Sequence, residues 1–161
     1  MEPLLVWLEG SALGQLMRAS GVWAYGVVNL VHILGIATLF GSVLAFDLKL
    51  IGLWRRVPLT TLERPTLTLA VCGFAVAVVS GVTLLSANGS EYVGNPFLPL
   101  KLSAIGLGLA NFAAAQFLPA WRARGVEPHG PRQRFALRLV GATSLACWLG
   151  AVAAGRMIGY W

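Results

Sequence analysis

The chain has 161 residues, of which 57% are hydrophobic and only 11% charged, with a net charge of +6. A soluble domain carries roughly 25% charged residues, so a water-exposed globule of this composition would lack the polar surface to coat itself, and lipid is the implied solvent for much of it. The basic residues sit in loops between apolar runs and form no basic–aromatic stripe, so the positive balance points to membrane topology and to no nucleic-acid partner.

Residues 3–19 place Leu4, Leu5, Leu8, Ala12 and Leu13 at helical spacing, punctuated by Glu2, Glu9 and Arg18. The pattern predicts a short interfacial amphipathic helix lying on the membrane. With Glu2 and Glu9 where a basic region should be, the segment does not read as a signal peptide. A crossing needs about 20 apolar residues. Four runs qualify: about 22–46, 66–85, 97–118 and 135–158. The first helix can continue through Asp47 and Lys49 toward Trp54. Pro58 and Pro65 are breakers in the loop that follows it.

The expectation is an all-α fold: an antiparallel four-transmembrane-helix bundle, one domain over 1–161, preceded by the interfacial helix. Loops one and three carry Arg55, Arg56, Arg64, Arg122, Arg124, Arg132 and Arg134, whereas the middle loop, around Glu91, carries no basic residue. By the positive-inside rule both termini lie on the outer, periplasmic side of a bacterial inner membrane. Trp23, Tyr25, Tyr92, Tyr160 and Trp161 then form an aromatic belt at that face. Asn88-Gly-Ser matches a glycosylation sequon, which in a bacterial chain is a chance match.

Polar groups at membrane depth are costly and call for a partner or a purpose. His32 is the sharpest of them, with Asn29 one turn to one side and Gly35 one turn to the other. A histidine beside a glycine suits a flat ligand laid against the helix backbone. Three readings of His32 stand: a neutral histidine hydrogen-bonded between helices, a haem or metal ligand, or a proton-relay or substrate group. Lys101 and Arg156 enter from the termini side on different helices. Arg18 can join them in a cation cluster able to hold carboxylates or phosphates, including haem propionates; snorkelling toward headgroups is the plainer reading. Asn111 and Gln116 are further substrate-binding or structural polar groups. Asp47 is another, with Arg55 or Arg138 as the expected ion-pair partner.

Cys72 and Cys147 fall in apolar runs and read as small buried hydrophobes, and no Cys-x-x-Cys-His for covalent haem attachment is present. His129 is the only other histidine, so one chain cannot supply two membrane histidines. No phosphate-binding loop, dinucleotide fingerprint, nucleophile elbow or carboxylate pair occurs, and no catalytic residue is assigned.

Several short motifs run along nearly the whole chain: Arg18-x-Ser20, Trp23-x-Tyr25, His32-Ile-Leu-Gly35, Phe40-Gly41, Asp47-Leu-Lys-Leu-Ile-Gly52, Asn95-Pro96-Phe97, Lys101, Asn111 and Gly155-Arg156-x-Ile158-x-Tyr160. Together they resemble an uncharacterised bacterial family of small four-helix membrane proteins, from which no activity transfers. The resemblance implies a second membrane histidine five residues after Asn111, where this chain has Gln116. A looser likeness, by helix count and one membrane histidine, links it to copper-resistance D-type and b-type cytochrome membrane domains.

Three functions remain open at this stage. The first is a haem b protein, with His32 as axial ligand and a second copy of the chain supplying the other ligand. The second is a small-solute or anion transporter or channel using His32, Asn29, Asn111 and Lys101. The third is a structural subunit. The expected partners are the bilayer and either a homo-oligomer or a larger membrane complex.

Overall fold

The computed structural model describes residues 1–123 and 130–161, and among these the regular structure is entirely helical. The helices are α1 (Glu2–Gly10), α2 (Ala12–Ala19), α3 (Gly21–Ile51), α4 (Leu59–Ala87), α5 (Phe97–Ala115), α6 (Pro119–Arg122) and α7 (Pro131–Met157), with 3₁₀ turns at Gly89–Tyr92 and Ile158–Tyr160. Four of them, α3, α4, α5 and α7, are long and apolar enough to cross a bilayer. The protein is therefore an all-α membrane protein. His129 and Arg124 lie outside the described residues.

The long helices alternate in direction. One end of the bundle gathers residues 1–20, the 88–96 connection and the C-terminus, where Asn95 donates to the Ile158 carbonyl at 3.3 Å. The other end carries the arginine-bearing loops. Laterally, α4 packs on α3, α3 on α7, and α7 on α5. Lipid tails give no hydrophobic drive between helices, so close van der Waals approach at small residues sets these contacts. A Cβ at Gly35 would stand 2.8 Å from the Ala77 amide nitrogen, and one at Gly73 only 2.5 Å from that of Leu39, so α3 and α4 touch backbone to backbone.

At mid-height Trp148 of α7 lies edge-on to Phe74 of α4, with ring centroids 6.1 Å apart, and against Gly108 of α5. Leu39, Ala70 and Ile105 complete this layer. A second core at the arginine end joins Phe46, Leu50, Leu59, Leu137 and Val140 around Trp121.

The N-terminal segment departs from expectation. It is two helices, because Ser11 takes an extended backbone and its hydroxyl caps α2 by accepting from Gly14 N at 3.3 Å. The pair folds over the end of α4 and the 88–96 connection, burying Leu5, Gly14 and Met17, and it turns Leu4, Trp7 and Leu16 outward. Helix α4 also starts earlier than expected, at Leu59 after Pro58, and continues through Pro65. Pro65 falls in the second turn, so the one hydrogen bond it removes is to Thr61 at the loop-facing end, where water can replace it.

Candidate functional site

The polar side chains toward the termini end form a layer about two turns, roughly 10 Å, above the Trp148 layer. On α3, His32 stands two turns from Leu39. Facing it on α4 are Ser80 and Gly81, and a Cβ at Gly81 would stand 2.9 Å from the His32 ring. On α5, Lys101 stands two turns from Gly108. On α7, Gly155 stands two turns from Trp148 and is covered by the Lys101 side chain, whose Nζ lies 3.3 Å from where a Cβ would be. Each polar group thus rests on a glycine of the facing helix. His32 and Lys101 stand out in the sequence as site candidates and Ser80 does not, although a Ser-Gly pair inside an apolar span was its available signal.

His32 Nδ1 lies 3.1 Å from Ser80 Oγ. The Ser80 hydroxyl donates its own hydrogen to the Val76 carbonyl at 2.5 Å, so toward His32 it can only accept. The Ser80 contact assigns the proton to Nδ1 and the lone pair to Nε2, for which no hydrogen bond is found among the described residues. Lys101 is near enough to act electrostatically on the imidazole. Its partly buried ammonium has no hydrogen-bond or ion-pair partner among the described residues. The layer therefore offers one nitrogen lone pair and one unpaired cation.

The other candidates lie elsewhere. Asn29 is exposed on α3. Arg156 donates to the Tyr160 hydroxyl and stacks on its ring, 4.5 Å from the centroid, so it is spent locally. Arg18 donates to the carbonyls of Glu9 (2.9 Å) and Ala87 (3.1 Å) and clamps α1 and α2 onto α4. Of the cation cluster, Lys101 is the one without such a partner among the described residues. Asn111 Nδ2 donates to the Val140 carbonyl at 3.1 Å and ties α5 to α7 about 15 Å further along. Gln116 caps α5 and accepts from Trp121 Nε1 at 3.1 Å, about 22 Å from Lys101, far from the His32 layer. Asp47 is buried on α3 toward the arginine end and has no ion pair with Arg55 or Arg138. Arg55 turns to the Gly52 carbonyl at 3.4 Å, and Arg138 lies against Gly52. The open face beside Gly35 expected to suit a flat ligand is filled by the α4 backbone at Ala77. Burial pushes the Tyr92 phenol up to about 12, with the nearby Tyr25 adding to the shift. Trp23, Tyr160 and Trp161 are exposed.

One protein family matches residues 4–161, nearly the full chain. The chain belongs to DUF6644, a family of unknown function. No curated protein and no solved structure matches it. The looser likeness to copper-resistance and cytochrome membrane domains therefore finds no support beyond helix count. Membership in DUF6644 brings no ligand set, and the chemistry rests on the layer itself.

Proposed function

We propose that this DUF6644 protein holds a small, hydroxyl-bearing anion between Lys101 and His32, as the binding step of a membrane transporter or channel. The observation that carries the reading is a Lys101 ammonium with no partner among the described residues, close enough to act electrostatically on a histidine whose Nε2 is an acceptor. An anionic oxygen would take the ammonium, and a hydroxyl on the same solute would donate to Nε2. An unpaired cation in an apolar bundle is costly, and such a ligand would offset that cost. The seven loop arginines favour a topology with the arginine end in the cytoplasm and the Lys101 layer nearer the outside of a bacterial inner membrane.

Calorimetric titration of the protein in nanodiscs with bicarbonate, dihydrogen phosphate and small hydroxycarboxylates tests the reading. At least one should bind. Lys101→Met and His32→Ala should each weaken it roughly tenfold or more, as expected for losing one charge-assisted or one buried hydrogen bond. Binding unchanged in Lys101→Met, or no binding by any of the three classes, overturns it.

The Nδ1 assignment favours a second reading. A histidine that donates its other ring N–H is set up as a metal ligand through Nε2, and haem b is the group it would suit. The haem would have to approach away from Gly35, with Lys101 on a propionate and a second copy of the chain supplying the other axial ligand. Protein expressed with ample haem and lacking a Soret band excludes this reading.

A further inference from the structure

The arginine end of the bundle holds a second polar pair, which the Lys101 layer does not use. Asp47 on α3 is only 3% exposed. Ser144 on α7 faces its carboxyl, and Oδ2 has no hydrogen-bond partner among the described residues. The two helices touch beside it, since a Cβ at Gly141, one turn from Ser144, would stand 2.9 Å from the Asp47 carbonyl oxygen.

Among the described residues, the charged groups on the surrounding elements are engaged elsewhere or make no pair with it. On α3, Lys49 gives its ammonium to the Trp54 carbonyl at 3.1 Å. On α7, Arg138 lies along Gly52, with Nη2 3.6 Å from the position of a Cβ there. On α6, Arg122 donates to the Gln116 carbonyl at 3.3 Å. On α4, Glu63 and Arg64 stand near the start of the helix, and Asp47 makes no ion pair with Arg64 among the described residues.

A carboxylate buried in this way with one hydroxyl and no counter-ion would cost several kcal/mol, so something must neutralise it. A hard metal cation takes about six or more oxygen ligands, and the tight contact at Gly141 leaves no room for such a shell. A proton needs only the carboxyl and one acceptor. Placed between the carboxyl and Ser144 Oγ, it would leave Oδ2 as an uncharged carbonyl oxygen, which tolerates the lack of a partner far better than a charged one.

We propose that Asp47 is a proton-binding site, loaded while α3 and α7 are packed together and emptied only when they part at Gly141. It stands independently of the anion reading, because neither Lys101 nor His32 takes part in it.

Infrared difference spectroscopy of the protein in nanodiscs, stepped between neutral and alkaline pH, reads this directly. At neutral pH the wild type should show a protonated-carboxyl C=O band that Asp47→Asn lacks and that Ser144→Ala shifts. Asp47→Asn should fold normally, since the amide has the shape of the neutral acid and needs no counter-ion. Absence of the band at neutral pH, or an identical band in Asp47→Asn, overturns the proposal. Carboxylate bands that move on adding sodium chloride would overturn it in favour of a metal cation. Anion titration of Asp47→Asn in the same nanodiscs reports on the Lys101 layer separately.

Discussion

The Arg18 guanidinium donates to the Ala87 carbonyl across 3.1 Å, joining the N-terminal helices to the last turn of α4. The final carbonyls of a helix have no partner within it. Arg18 satisfies those of Ala87 and, at 3.5 Å, Ser86, while also holding the Glu9 carbonyl. A cation at a helix C-terminus is favourable in its own right. Arg18→Ala should therefore free α1 and α2. Amide exchange in residues 2–19 is expected to speed up roughly tenfold, as for losing a hydrogen bond to a charged group, with α3 and α7 unaffected.

The same clamp has a pH dependence. The backbone N–H of Ser90, 2.6 Å from Glu9 Oε2, holds the Glu9 carboxyl below its ordinary value of 4.5, with the Ser90 hydroxyl adding to it and Arg18 contributing less. A lowered folded-state value means that the contact contributes fully above the ordinary value and is lost as pH falls through the lower one. Exchange in residues 2–19 and 88–92 should rise under acid below that range. Glu9→Gln should remove the acid dependence; an unchanged acid profile in that variant would show that another group governs it.

An unpaired cation within the span predicts a trade of stability against function. Lys101→Met removes the ammonium and keeps a long flexible side chain over Gly155. In ligand-free protein it should raise thermal stability by about 1 kcal/mol or more, while weakening anion binding roughly tenfold or more. A lower melting temperature would mean that Lys101 is already neutralised by something else in the membrane.

The α3–α4 seam should be intolerant of bulk. Gly73→Leu would drive a side chain into the Leu39 backbone and should cost about 1–3 kcal/mol or separate the helices. Ser80→Ala should be milder, about 1 kcal/mol, since it removes one hydroxyl acceptor from His32 and adds no bulk to the seam. Thermal unfolding in detergent distinguishes the two.

The helices were legible in the sequence because a membrane span is written in composition alone. His32 and Lys101 stood out because an ionisable side chain in an apolar run has few explanations. Partners could not be read in the same way. Arg18, Arg156 and Lys101 look alike as cations near one end, and only the fold shows that two of them are spent on Ala87 and Tyr160. Ser80, Ser144 and Glu9 are ordinary residues that matter through what faces them across a helix contact. Gly35 misled for the same reason: an open backbone suits a flat ligand or a neighbouring helix equally well, and α4 fills it. The break at Ser11 was the exception, since a serine after glycine is a local capping signal visible in the chain itself.

The spans differ in length: 31 residues in α3 against 19 in α5. At about 1.5 Å per residue, α5 reaches only about 28 Å, slightly less than the roughly 30 Å hydrocarbon of an ordinary bilayer, while α3 exceeds it by half. One side of the molecule must tilt or protrude, and the other must stand upright or thin the lipid beside it. Lys101 is the fifth residue of the short helix, so its depth below the headgroups is set by how the local bilayer meets α5. In thicker membranes the mismatch draws the ammonium deeper and raises the cost of its charge. The lipid itself thereby becomes a variable that would tune the affinity of the proposed site.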